Sequence, residues 1–172
     1  KEAALRQRIE HLRILDSPLV LIPNTFEVKD DTCYITYDYF NGIPLSEAAL
    51  HRDVSLDTFF RIACQLARVL TAVHAAGIIH GGIKPNNILG NPDSLDIRLI
   101  DFVSLSNVSN VSHFVYEESF VRGTLPYTSP EQTGRIRHRV SFSSDLYSLG
   151  AVFYEMLTGH PPFLNRDPLE LI

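Results

Sequence analysis

The apolar positions of the chain follow two different periods. Leu5, Ile9, Leu12 and Leu15 recur at three- and four-residue steps with charges between them, which predicts a first helix. Asp16-Ser17-Pro18 ends it, because the residue before a proline avoids helical angles. "LVLIPNTFEV" and "TCYITYDYF" then read as two strands joined by the polar turn Lys29-Asp30-Asp31, an antiparallel pair. Asn41-Gly42 and Pro44 break the second strand, and Ser46 is placed to cap a short helix.

The strongest helical signal is "SLDTFFRIACQLARVLTAVHAAG", with apolar residues at Phe59, Ile62, Ala63, Leu66, Val69, Leu70 and Val73. Ser55 is its expected N-cap, with Asp57 and Thr58 in the first turn, and Gly77 is its expected C-terminal cap. Two short strands follow, "NILG" and "DIRLID", around the turn Asn91-Pro92-Asp93. Residues 103–130 hold six serines and little periodicity, so they read as a loop, long enough to expect a function for it. "SSDLYSLGAVFYEMLTG" predicts a last apolar helix, capped by Ser143 or Ser144 and stopped by Gly159 and the prolines beyond. Strands and helices do not alternate, which argues against a doubly wound sheet.

Composition narrows the function classes. A length of 172 residues is one domain or a large part of one, and a hydrophobic fraction of 45% permits a real core. The net charge of -5 argues against a nucleic-acid role, since phosphate binding needs a basic face. No apolar run approaches the roughly 18 residues of a membrane span. The chain opens on Lys1 with a polar helical pattern and no signal peptide, and reads as an internal piece of something longer. Cys33 and Cys64 have no metal-ligand spacing and read as reduced, at least partly buried thiols, and the seven histidines form no zinc pair.

Three short motifs stand in order. His80 and Asn87 bracket H-G-G-I-K-P-N-N, Asp101-Phe102 follows the second short strand, and Ser129-Pro130-Glu131 closes the long loop after Gly123-Thr124, with Asp145 in the next helix. In this order and spacing they resemble the eukaryotic-type protein kinases, whose set is H-R-D-L-x-x-x-N, D-F-G and A-P-E. "GTLPYTSPEQTGR" and "SDLYSLGAVFYEMLTGHPPF" resemble, more narrowly, the kinase-like domains at the N-terminus of multidomain sensory histidine kinases. The resemblance implies an α+β, two-lobed kinase fold incomplete at both ends, without the glycine-rich loop and its strand lysine. Residues 1–40 would be a partial small lobe, and 41–172 the hinge with a partial large lobe ending after its central helix.

It also implies roles. Phosphoryl transfer is mostly positioning and charge neutralisation. Asn87 and Asp101 match the magnesium ligands, and amide and carboxylate oxygens suit that hard cation. Lys84 matches the lysine that neutralises the transferring group, and Thr124 the threonine beside the catalytic carboxylate. Backbone groups of Asp38 and Phe40 would read the adenine of ATP, Leu89 would floor it, and Tyr37 stands at the gatekeeper position. Leu12, Ile22, His80 and Phe102 would form a packed column tying the lobes together. The implied partners are ATPase-type, sensor and histidine kinase domains of a larger cytoplasmic protein.

Four departures point one way. The catalytic base position is Gly82, the residue before it is Gly81 rather than Arg, and the D-F-G glycine is Val103. The position of the helix glutamate falls on Arg8, with Glu10 on nearly the opposite face. The expected function is therefore a pseudokinase-type regulatory module with weak or no phosphotransfer and weak ATP and Mg2+ binding. An active Ser/Thr kinase and a non-enzymatic scaffold are the alternatives. The serines at 104, 106, 109, 112 and 119 read either as phosphorylation sites or as a polar loop.

Overall fold

The computed structural model describes residues 2–15, 17–30, 32–48, 54–102, 124–133 and 137–163, with the side chains of residues 2–5, Arg8 and Cys33 outside the description. Helix α1 spans Glu2–Leu12 and buries Ile9 and Leu12. The chain turns after it, and Leu15 closes against the same core. The expected strand 19–28 is shortened to β1, Thr25–Lys29. Pro23 lacks an N–H, and residues 19–21 bond elsewhere: Leu21 N–H donates to Leu99 O at 3.0 Å, and Leu99 N–H donates to Leu19 O at 2.9 Å. β1 pairs with β2, Thr32–Thr36, in an antiparallel hairpin running from Thr25↔Thr36 to Lys29↔Thr32. Arg6 lies over the ring of Phe26, 5.2 Å from its centroid, and so links α1 to the hairpin. The second strand also stops early, leaving Tyr37 to Phe40 outside any ladder.

Pro44 does not merely break a strand. Ile43–Pro44 forms β3, the edge of a three-stranded sheet with β4 (Ile88–Gly90) and β5 (Ile97–Leu99). An edge tolerates proline because the missing donor would face outward. Residues 45–47 form a turn on Pro44 O, and the remainder of the short helix expected after Ser46 lies outside the described residues.

Helix α2, Leu56–Ala75, is the centre of the core. Ser55 caps it, its Oγ accepting from Thr58 N–H at 3.2 Å. At the other end Gly77 takes φ 73°, Gly77 N–H reaches His74 O, and Ile78 N–H reaches Val73 O at 3.1 Å. This left-handed cap satisfies carbonyls the helix leaves open. Phe59, Ile62, Leu66, Val69, Leu70 and Val73 face inward, each contributing about 1.5–3 kcal/mol on burial. Cys64 lies on the outer face and is exposed, where an at least partly buried thiol was expected. The last helix, α3, spans Phe142–Thr158 and is capped two residues before the expected Ser143, by Ser141. Ser141 N–H donates to Ser144 Oγ at 3.1 Å, so Ser144 serves inside the first turn. α3 packs on α2 through Leu149, Val152 and Phe153, whose ring meets Phe59 edge-on at 5.5 Å.

Candidate functional site

The loop between α2 and β4 is fixed from below. Ile78, His80, Ile83 and Pro85 are buried, and His80 is fully so. The His80 ring meets Phe102 edge-on at 4.5 Å, its Nε2 pairs with Ile100 O at 3.0 Å, and its Nδ1 accepts from Gly82 N–H at 3.1 Å. With Leu12 at 1% exposure, Phe102 at 1% and Ile22 packed against the same cluster, the expected column lies in one core.

Asp145 of α3 is the other anchor. Its carboxylate is fully buried. It accepts from His80 N–H at 2.8 Å and Gly81 N–H at 2.7 Å, and pairs with His74 Nε2 at 2.8 Å. Gly81 takes φ 68°, a left-handed conformation that suits glycine. Its carbonyl accepts from Gln132 Nε2 at 2.8 Å, while Gln132 Oε1 accepts from the Ser129 N–H and hydroxyl. The described segment 124–133 is thus stitched to this loop by an uncharged side chain.

Past Gly82 the backbone is extended at Lys84, then makes a 3-10 turn over Pro85–Asn87. Asn87 is buried, and its Nδ2 donates to Gly82 O at 2.8 Å. That bond sets the amide orientation, leaving Oδ1 as its remaining polar atom. Lys84 Nζ donates to Thr124 Oγ1 at 2.9 Å, so these two residues meet across 40 positions of chain.

Above the loop is a cleft of about 580 Å3 lined by Leu21, Tyr37, Asp38, Tyr39, Phe40, Asn87, Leu89, Ile100 and Asp101. That volume suits a drug-sized or nucleotide-sized ligand. The five residues expected to touch a nucleotide or its metal, Asp38, Phe40, Leu89, Asn87 and Asp101, line this one cleft, as does Tyr37 at the gatekeeper position. Asp38 is tied to Asn24 Nδ2 at 2.7 Å, and Phe40 carries the Arg98 guanidinium 4.7 Å from its ring centroid. Asp101 sits at φ 66°, a conformation a non-glycine residue holds only under tertiary constraint. No group of three or more metal-ligating His, Cys, Asp or Glu exists among the described residues. One carboxylate and one amide oxygen fit a magnesium ion whose remaining ligands come from phosphates and water.

Lys84, Thr124 and Gly82 do not line the cleft. Val103 and the serines at 104, 106, 109, 112 and 119 lie outside the described residues, as does the side chain of Arg8. Sequence reasoning gave no role to Asp145, His74 or Gln132. An acid at the inward register of α3, in step with Ser148, Leu149 and Val152, was the available signal for Asp145.

Glu131 and Tyr127, both in the segment 124–133, have shifted pKa values. Burial raises the Glu131 carboxyl, but hydrogen bonds from Ser144, its own backbone and Ser129, with the charge of His138, outweigh it and hold the pKa below its ordinary value. The Ser144 hydroxyl donates to Glu131 Oε1 at 2.5 Å. Burial, then the hydrogen bond to Glu155 and its charge, pushes the Tyr127 phenol well above its ordinary pKa.

Comparison with known proteins agrees with this geometry. The family model described as "Protein kinase domain" matches residues 1–171. The serine/threonine-protein kinase PknB of Mycolicibacterium smegmatis is 33% identical over 138 residues, 79% of this chain and 21% of that protein. The hybrid signal transduction histidine kinase G of Dictyostelium discoideum is 30% identical over 201 residues, 75% of this chain and 6% of that protein. The chain therefore spans a minor part of these relatives. The crystal structure of Rad53 1-466 in complex with AMP-PNP superposes with a TM-score of 0.72 at 26% identity, covering 97% of this chain and 41% of that one. Cleft, loop and match together place the chain in the protein kinase family, with its α+β fold.

Proposed function

We propose that the chain is a regulatory, kinase-like module of a larger sensory protein, a pseudokinase that holds ATP with Mg2+ and transfers phosphate weakly or not at all. The observation that carries this reading is the contrast between a furnished cleft and a base position, Gly82, that has no side chain. Backbone groups of Asp38 and Phe40 read the adenine, Leu89 floors it, and Asn87 Oδ1 and the Asp101 carboxylate hold the cation. The cation's part is to neutralise phosphate charge. Lys84 and Thr124 remain joined at the place where an acceptor hydroxyl would be oriented. Losing a general base typically costs roughly 10²- to 10⁴-fold in rate.

Residues 1–40 and 41–172 act as the two sides of the cleft. The family resemblance gives the partners as ATPase-type, sensor and histidine kinase domains of a larger two-component signalling protein of the cytoplasm, and the likeness to a hybrid signal transduction histidine kinase of Dictyostelium discoideum supports the histidine kinase part. No helix among the described residues is long and apolar enough to cross a membrane.

Melting with and without ATP and Mg2+ tests the binding. A ligand at about 100 times its dissociation constant stabilises by about 2.7 kcal/mol, and Asp101→Ala should abolish the shift. No shift at millimolar ATP refutes the reading. A second reading, an active Ser/Thr kinase, is favoured by the retained Lys84–Thr124 bond and by relatives named as such kinases. Label transfer from ATP to an ordinary serine peptide, lost in Asp101→Ala, would establish it instead.

A further inference from the structure

The space at Gly82 is an intact cradle around a missing group. A Cβ built there has as its nearest neighbours Asn87 Nδ2 and the Cε1 and Nδ1 atoms of His80, all at 3.8 Å. That is ordinary van der Waals contact. Gly82 is also not among the positive-φ glycines of the described residues, which are Gly77, Gly81 and Gly159. A Cβ therefore fits at position 82 without backbone strain and without moving a neighbour.

The surroundings give this space a chemical preference. Along 82–84 the residues are half-buried, buried and half-buried, and Lys84 is extended at φ -162°, ψ 162°. Successive side chains of extended backbone point to opposite faces. Ile83 therefore enters the core, and the space at Gly82 opens on the face that carries Lys84. The Lys84 ammonium commits one of its three N–H groups to Thr124, and Asn87 Nδ2 has a second N–H besides the one given to Gly82 O. The Asn87 amide donor next to the open Cβ position, with the Lys84 cation two residues further along the chain, favours a small anion. Thr124, held by Lys84, puts the same corner next to the segment that follows the long loop.

We infer that the space at Gly82 is a subsite for a carboxylate from outside the chain, either an acidic side chain of the phosphoacceptor or a small free carboxylate. The chemistry, though not the binding, rests on the nucleotide-binding reading above. The acceptor hydroxyl oxygen bonds to the γ-phosphorus of a nucleoside triphosphate while the bond from that phosphorus to the bridging oxygen breaks. The hydroxyl proton passes to the carboxylate, which leaves as the acid and returns the proton to water. The products are the diphosphate and the phosphorylated acceptor. Transfer that is weak for an ordinary hydroxyl substrate thus becomes conditional on an acidic one.

The full chain is titrated with acetate against chloride at equal ionic strength, reading the Gly82 amide and Lys84 Nζ by NMR. Label transfer from ATP·Mg2+ is then measured to a neutral serine peptide, to the same peptide with acetate, and to one with Asp or Glu flanking the serine. Saturable shifts with acetate alone, absent in Gly82→Asp, are expected. Gly82→Asp should speed transfer to the neutral peptide by about 10²- to 10⁴-fold, and outside carboxylate by at least about tenfold. Acceleration by acetate but not by the acidic peptide assigns the subsite to a free carboxylate, and the reverse assigns it to the substrate. The acetate arms use the unsubstituted chain, so they stand whether or not Gly82→Asp folds. The inference is overturned if acetate leaves the Gly82 amide unmoved. It is also overturned if a chain shown by melting to bind ATP gains no transfer from acetate, acidic peptide or Gly82→Asp. Failure to bind ATP, with the acetate shift present, refutes the nucleotide reading and leaves the subsite standing.

Discussion

Replacing Asp145 by alanine removes the acceptor on which the candidate loop hangs. The carboxylate is wholly buried and holds the His80 and Gly81 N–H groups and His74 Nε2, all at 2.7–2.8 Å. Each hydrogen bond to a charged group contributes roughly 1.5–3 kcal/mol, though three on one carboxylate are not additive. Leaving buried partners without their charge typically costs about 3–5 kcal/mol. In a chain of 172 residues each kcal/mol moves the melting point by about 2–4 °C, so a fall of roughly 6–20 °C is expected. The loss should also be local. A cost of 3 kcal/mol corresponds to a factor of about 10² in the opening equilibrium, which hydrogen exchange reads at the His80 and Gly81 amides. Asp145→Asn, with one acceptor oxygen instead of two, should lie between the two forms. Thermal unfolding with amide exchange is the assay. A melting point lowered by less than about 3 °C, with both amides still protected, would refute the claim that Asp145 holds the loop.

Three other substitutions probe separate features. At Gly42 a Cβ would collide with Phe40 Cε1 and lie 3.1 Å from Gly90 O, so Gly42→Ala should displace that ring from the cleft. It should cost about 1–3 kcal/mol in stability and sharply reduce the melting shift given by ATP, read in one titration. Gly77→Ala meets open space but must hold φ 73°, so a loss of about 1 kcal/mol by denaturant unfolding, with ligand binding intact, is expected. Glu131 has a depressed folded pKa, so its contribution is present above the ordinary carboxylate value of about 4.3 and is lost as pH falls through the folded value. Denaturant midpoints at pH 7 and pH 3 should therefore fall more for the natural chain than for Glu131→Gln.

Much of this was legible in one dimension because the physics is local. The period of Phe59, Ile62, Leu66 and Val69, the Ser55 cap and Gly77 each act within a few residues. The cleft residues were legible through motif order. What escaped depends on distant chain. β3 is two residues long, with a proline that would stop a central strand, and exists because β4 pairs with it. Residues 19–21 look like a continuous strand with β1, yet they turn to Leu99. Gln132 finds Gly81 across 51 positions, and nothing in "SPEQ" announces that its amide will read a backbone carbonyl. Leu21 and Ile100 line the cleft only because those same long-range pairings carry them there.

The neighbouring glycines of this loop are unlike in how easily they could be undone. Gly81 occupies φ 68°, so any replacement carries a Cβ into a conformation that costs of order 1 kcal/mol or more before its side chain does anything. Gly82 lies outside that region and has room around it. A carboxylate side chain at position 82 would therefore start from an unstrained backbone, whereas an arginine at position 81 would start from a strained one.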